Sequence, residues 1–104
     1  MIKVFISQPM KGKTEEEILR VREKAIASVK SICNEDVEIL DSYFSDFNPD
    51  DGCIPLKFLA RSIVLLADAD IAYFAKGWKD ARGCRIEHEC AVEYGIKTLD
   101  EIEL

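Results

Sequence analysis

The sequence predicts a three-layer α/β domain, with helices packed on both faces of a parallel sheet. Three observations lead there. Short apolar runs alternate with longer stretches whose apolar residues recur every three or four positions, in the order β-α-β-α-β-α-β. The strand-like runs Ile2–Ile6 and Ile71–Phe74 are dense in apolar residues, as strands covered on both faces must be. Finally, 104 residues of ordinary apolar content suffice for one buried core and leave no room for a second.

The first strand runs from Met1 to Ser7 on Ile2, Val4, Phe5 and Ile6. Ser7-Gln8-Pro9-Met10-Lys11-Gly12-Lys13 follows as a loop of small, polar and turn-forming residues. Thr14-Glu15-Glu16-Glu17 is a capping box, and its acidic residues suit the positive end of a helix dipole, which makes them structural. That helix carries Ile18, Val21, Ala25, Val29 and Ile32 inward and should end near Cys33-Asn34. Val37 to Leu40 is a short second strand, followed by Asp41-Ser42-Tyr43-Phe44 and a polar loop over 45–54. A loop of this length suits a lid or a ligand contact. Within it Asp46, Asp50 and Asp51 either bind a cation or form turns in water.

Pro55 fits the first turn of a second helix, with Leu56, Leu59, Ala60, Ile63, Val64 and Ala67 as its expected buried side. Asp68 and Asp70 stand at the solvent-exposed start of the third strand, Ile71 to Phe74. The stretch from Lys76 to Asp80 breaks that strand with turn chemistry. A third helix begins at about Asp80, with Ile86, Cys90 and Tyr94 as the expected inward stripe, Glu87 beside it and Gly95 as its stop. Ile96 to Leu99 is a weak fourth strand. The tail, Asp100 to Leu104, extends that strand, docks on a neighbouring subunit or frays.

Right-handed crossovers then give a parallel sheet in the order 2-1-3-4, an arrangement of the flavodoxin or Rossmann kind with four strands, or five if the tail adds one. In such sheets the ligand lies beyond the strand C-termini where the winding reverses, here between the first and third strands. That point gathers Ser7–Lys13, Phe74–Asp80 and the start of the third helix.

Charge and cysteine usage exclude several classes. A net charge of −6 disfavours nucleic acid as the main partner, although backbone N–H groups can still hold one small anion. No apolar run approaches membrane-spanning length, so no membrane partner is expected. The chain enters a strand directly without a leader pattern, which points to the cytoplasm. Cys33, Cys53, Cys84 and Cys90 contain no C-x-x-C pair. Cys84 and His88 are one helical turn apart, but Cys90 falls on another face and no second ligand pair exists, so reduced and mostly buried thiols are expected rather than zinc. No metal and no organic cofactor is implied.

Glu87 is the residue best placed for chemistry. A carboxylate near a helix N-terminus is biased toward its ionised form, which suits a nucleophile or a stabiliser of positive charge. In glycosyl transfer such a group attacks an anomeric carbon through an oxocarbenium-like transition state. Gly12, Gly77 and Gly83 allow close backbone approach by a ligand, Trp78 offers a face to a planar base, and Tyr43 or Phe44 could cover it. Each has a plainer reading: Glu87 as a surface glutamate, Trp78 as a packing residue, and the glycines as ordinary α/β loop residues.

The segment Asp70…Phe74…Gly77…Asp80…Gly83-x-x-x-Glu87-x-x-x-Ala91-x-x-x-Gly95 resembles the signature of the nucleoside 2-deoxyribosyltransferase family, and Ile6-Ser7-Gln8-Pro9-Met10 resembles that family's first strand and loop. The chain looks most similar to a small, poorly characterised branch of this superfamily. The resemblance implies that Glu87 is the nucleophile attacking C1′ of a deoxyribonucleoside and that Asp80 positions the sugar. It implies that the loop of Ser7, Gln8, Pro9 and Met10, with Gly77, Trp78 and Gly83, contacts the ligand. A related branch, the deoxynucleoside monophosphate N-hydrolases, holds a phosphate on the same scaffold. The transferases also carry an aspartate in the second-helix region that handles the proton on the base. Leu59-Ala60-Arg61-Ser62-Ile63 has none there, and Arg61 or Ser62 either meets a phosphate or is solvated on the helix surface.

Three functions follow as expectations. The first is cleavage or transfer at the N-glycosidic bond of a nucleoside or nucleotide, with Glu87 as nucleophile. The second is a non-catalytic nucleotide-binding domain, and the third an interaction module. The resemblance also implies a homodimer or higher homo-oligomer.

Overall fold

The computed structural model describes residues 1–40 and 52–101, and its elements follow the predicted order. They are β1 (Ile2–Ser7), α1 (Glu15–Cys33), β2 (Val37–Leu40), α2 (Ile54–Leu66), β3 (Ile71–Phe74), a 3-10 turn (Trp78–Asp80), α3 (Arg82–Glu93) and β4 (Lys97–Asp100). The sheet is entirely parallel in the order β2-β1-β3-β4. The chain is thus a Rossmann-like α/β fold, and its winding reverses between β1 and β3, where Ser7 pairs with Phe74.

Successive residues of the inner strands serve opposite faces. Val4, Ile6, Tyr73 and Ala75 pack with Ala25 and Val29 of α1. Phe5, Ala72 and Phe74 pack with Leu66 of α2 and Ala91 of α3. All of β3 is buried, which explains its apolar run without alternation. Each fully buried side chain of the size of Phe5 or Phe74 contributes roughly 2–3 kcal/mol.

The element ends follow local chemistry. Thr14 caps α1: the Glu17 N–H donates to its Oγ1 at 3.1 Å, and the Thr14 N–H reaches Glu17 Oε1 at 3.4 Å. Asn34 stops the helix in the left-handed region, at φ 52°. Pro55 sits in the first turn of α2, and Gly95, at φ 75°, turns the chain after α3. At the opposite edge of the sheet, Asp70 joins β3 to β1: its Oδ2 accepts from the Lys3 N–H at 2.8 Å, and its own N–H donates to the Lys3 carbonyl.

Two helices are rotated from the predicted phase. In α3 the buried residues are Cys84, Glu87 and Ala91, while Ile86 is 37% and Tyr94 84% exposed. Hydrophobic periodicity counts a glutamate as outward, which turned the expected stripe by about one residue, or about 100°. In α2 the buried residues are Ser62 and Leu66, with Leu59 and Ile63 half-buried; Leu56, Ala60, Val64 and Ala67 are exposed. This helix is apolar nearly all round, so several stripes fit equally well and the sheet selects one. At the end of α1, Ile32 lies in the last turn and is exposed.

Near the end of the described chain, Glu101 ties three elements together. Its Oε1 accepts from Lys24 Nζ at 3.0 Å, and its Oε2 accepts from the Tyr73 hydroxyl and the Lys76 N–H, both at 3.1 Å. Burial would raise the Glu101 carboxyl, but these donors outweigh it and the net displacement is downward. Tyr43, Phe44, Asp46, Asp50 and Asp51 lie outside the described residues. Among the described residues no helix is long and apolar enough to cross a membrane.

Candidate functional site

The point where the winding reverses holds a buried carboxyl. β1 ends on Ser7, whose carbonyl accepts from the Ala75 N–H at 2.9 Å, so the backbone of β3 fixes the end of β1. The Ser7 hydroxyl donates to Glu87 Oε1 at 2.7 Å. Ser62, from α2, is buried close by, and its hydroxyl favours the anionic form of the same carboxyl. Ser7, Ser62 and Glu87 are 2%, 8% and 7% exposed, so β1, α2 and α3 converge on one carboxyl inside the fold.

Burial decides its charge. It pushes the Glu87 carboxyl up to about 7, against the two hydroxyls, which favour the anion. The helix-terminus argument for a fully ionised group is thereby outweighed: desolvation acts on the whole charge, whereas a helix end supplies a partial one. One turn earlier, burial pushes the Cys84 thiol up to about 11, which keeps it protonated and inert near neutral pH.

The other predicted ligand residues surround this point unevenly. Gln8 is buried and turns toward α1, where its Nε2 donates to the Ile18 carbonyl at 2.9 Å; its Oε1 has no partner among the described residues. Pro9 and Met10 are half-buried, and the Lys13 N–H closes a turn on the Met10 carbonyl at 3.1 Å. Gly77 has φ 90°, and a Cβ there would stand 3.4 Å from Pro9 Cγ. A side chain added at Gly77 would therefore meet the first loop in ordinary van der Waals contact. Gly83, in the first turn of α3, has open space around its missing Cβ. Asp80 is exposed on the 3-10 turn, where its N–H donates to the Gly77 carbonyl at 3.0 Å. Arg85 donates to the Lys79 carbonyl at 3.0 Å. Glu87 is thus held by a hydroxyl, that of Ser7.

Trp78 is half-buried and stacks on His88 with centroids 4.0 Å apart and planes 14° from parallel. Phe74 meets the His88 ring edge-on at 4.6 Å, and His88 Nε2 lies 3.0 Å from Asp100 Oδ2. One face of the indole is therefore occupied from within the protein. Sequence reasoning weighed His88 only beside cysteines; its position ten residues after Trp78 carries no periodic signal that would have joined them.

Ser62, expected to meet a phosphate or to be solvated on the helix surface, is buried instead. Its buried place follows from the true phase of α2, which the apolar pattern concealed. It neither meets solvent nor lies open to a phosphate. Two surface depressions, both lined by Met1, Glu35 and Asp36, lie at the other edge of the sheet, where they gather no cluster suited to catalysis. Among the described residues no group of three His, Cys, Asp or Glu side chains is placed to hold a metal ion. No protein-family model, curated protein or solved structure matches the chain.

Proposed function

We propose that the chain cleaves or transfers at the N-glycosidic bond of a nucleoside or nucleotide, with Glu87 as the nucleophile. The observation that carries this reading is the buried Glu87 carboxyl, held by Ser7 where the sheet's winding reverses. A carboxylate raised to about 7 is more basic than an ordinary one, and so more nucleophilic once ionised. One Glu87 oxygen bonds to C1′ as the C1′–N bond breaks. The bonding pair leaves on the base nitrogen, which takes a proton from water. In hydrolysis, water then attacks C1′, releasing the carboxylate and losing a proton to solvent; in transfer, a nitrogen of a second base attacks instead. Two displacements at one carbon retain its configuration.

Ser7, Gln8, Pro9, Met10, Gly77, Trp78 and Gly83 are assigned to the ligand's surroundings, and Asp80 to the sugar. The first loop lies where a side chain at Gly77 would meet Pro9, which supports a common role for the two loops. The partner is a small molecule, and neither nucleic acid nor a membrane is required, consistent with a cytoplasmic setting. A homodimer or higher homo-oligomer is supported by the exposed α2 face of Leu56 and Val64, 61% and 67% exposed.

A second reading, a non-catalytic nucleotide-binding domain, is favoured by the same carboxyl being engaged by an internal hydroxyl, that of Ser7. One experiment separates the two. Purified protein and Glu87→Ala are incubated with deoxynucleosides and their 5′-monophosphates, with and without an acceptor base, and products are separated by chromatography. Base release or exchange that disappears in the variant, and rises with pH through about 7, is the expected result. Thermal stabilisation by the same compounds without turnover rejects the enzyme reading in favour of the binding domain.

A further inference from the structure

We propose that Asp100 and Glu101 are positioning residues that together clamp the loop of residues 76–80 beside the Glu87 site. The clamp rests on contacts within the chain alone. Its effect on a ligand rests on the glycosidic reading, which assigns Gly77, Trp78 and Asp80 of this loop to the ligand.

β4 closes one edge of the sheet, with Asp100 opposite Phe74 in the parallel register. Backbone pairing goes one step further, since the Glu101 N–H donates to the Phe74 carbonyl at 2.8 Å. There β3 ends and the chain turns, the Trp78 N–H donating to the Ala75 carbonyl at 3.1 Å. Past this point a side chain takes over from the backbone. Glu101 Oε2 accepts from the Lys76 N–H at 3.1 Å, so a carboxylate supplies the acceptor that a longer strand would have offered. The same oxygen accepts from the Tyr73 hydroxyl at 3.1 Å, which holds the carboxylate on the α1 side of the sheet. The third donor, Lys24 Nζ, belongs to a side chain that is 68% exposed and adds little through solvent. Burial works against the Glu101 anion, but its donors outweigh burial and hold the carboxyl below its ordinary value. An ionised acceptor makes the stronger hydrogen bond.

Successive strand residues face opposite sides, so Asp100 reaches the other layer. His88 Nε2 lies 3.0 Å from its Oδ2 and 3.2 Å from its Oδ1. That pairing fixes the imidazole, which stacks on Trp78 at 4.0 Å and meets Phe74 edge-on at 4.6 Å. The loop is thus gripped twice: at Lys76 by Glu101, and at Trp78 by Asp100 through His88. Its own hydrogen bonds, Trp78 to Ala75 and Asp80 to Gly77, set its local shape. A turn closed only on itself keeps that shape yet can pivot about the end of β3. Two side chains from the neighbouring strand remove this freedom.

The test reads the two grips separately. Solvent exchange of the Lys76 amide, followed by NMR, reports on Glu101. Acrylamide quenching of Trp78, the chain's one tryptophan, reports on Asp100. In Glu101→Ala we expect Lys76 exchange to accelerate about fivefold or more relative to the Ala72 amide within β3. Glu101→Gln, whose side-chain carbonyl still accepts, should return toward wild type. In Asp100→Ala we expect quenching of Trp78 to rise about twofold, and Asp100→Asn to restore it. Equal acceleration at Lys76 and Ala72 would show a general loss of stability and overturns the clamp, as does quenching that Asp100→Ala leaves unmoved. In an active enzyme, KM rises about threefold or more in Glu101→Ala while kcat stays within about twofold; an unmoved KM overturns the clamp's bearing on the ligand. An inactive wild type in which both readouts shift as expected rejects the glycosidic reading and retains the clamp.

Discussion

Replacing Glu87 by glutamine should stabilise the protein in alkaline solution and leave it nearly unchanged in acid. Its folded-state carboxyl is raised from 4.5 to about 7, chiefly by burial. Between those values the native state binds more protons than the unfolded chain, so this residue's contribution to stability falls as pH rises. It is fully favourable below the unfolded value and is lost as pH climbs through about 7. Over the gap from 4.5 to about 7, at about 1.36 kcal/mol per unit, the change amounts to about 3 kcal/mol. For a domain with total stability on the order of 5–15 kcal/mol, that is a large fraction. Glutamine has nearly the same shape, its carbonyl can still accept from Ser7, and it carries no charge to desolvate. Urea denaturation of both proteins at about pH 5 and about pH 9 isolates the effect, because every other titrating group cancels in the difference between pH values. We expect the variant to gain about 3 kcal/mol on wild type between the two conditions. A gain below about 1 kcal/mol would refute the burial argument.

Gly77→Ala places a Cβ at φ 90°, and we expect a loss of about 1–2 kcal/mol in chemical denaturation, from backbone strain. Equal or greater stability would show that the loop relaxes. His88→Ala removes the ring stacked 4.0 Å from Trp78, the chain's one tryptophan, so its fluorescence should shift to the red as water reaches the indole. An unchanged emission maximum would mean that the stack does not shield it. Val64→Glu puts a charge on the exposed α2 face, where Val64 is 67% exposed. Light scattering should show a wild-type homo-oligomer and a dissociated variant with unchanged circular dichroism; a monomeric wild type would reject this face as an interface.

The order of elements, the parallel sheet and the place where its winding reverses were readable from the chain alone. They rest on local chemistry and short-range pattern: the Thr14–Glu17 capping box, Asn34 and Gly95 at helix ends, and the unalternating run of β3. Glu87 and Ser7 were likewise within reach, since the strand order brings the end of β1 beside β3 and the start of α3. Which way α2 and α3 turned was decided by the tertiary structure. α2 is apolar around most of its circumference, so only packing against the sheet could select Ser62 and Leu66. In α3 the inward residue is a carboxylate, which every hydrophobicity pattern assigns to water. Its hydrogen-bonding partner inside is the Ser7 hydroxyl at the end of β1, 80 residues away in sequence. The charge of that carboxyl was beyond sequence reasoning for the same reason, because desolvation belongs to the assembled site and not to any segment of the chain.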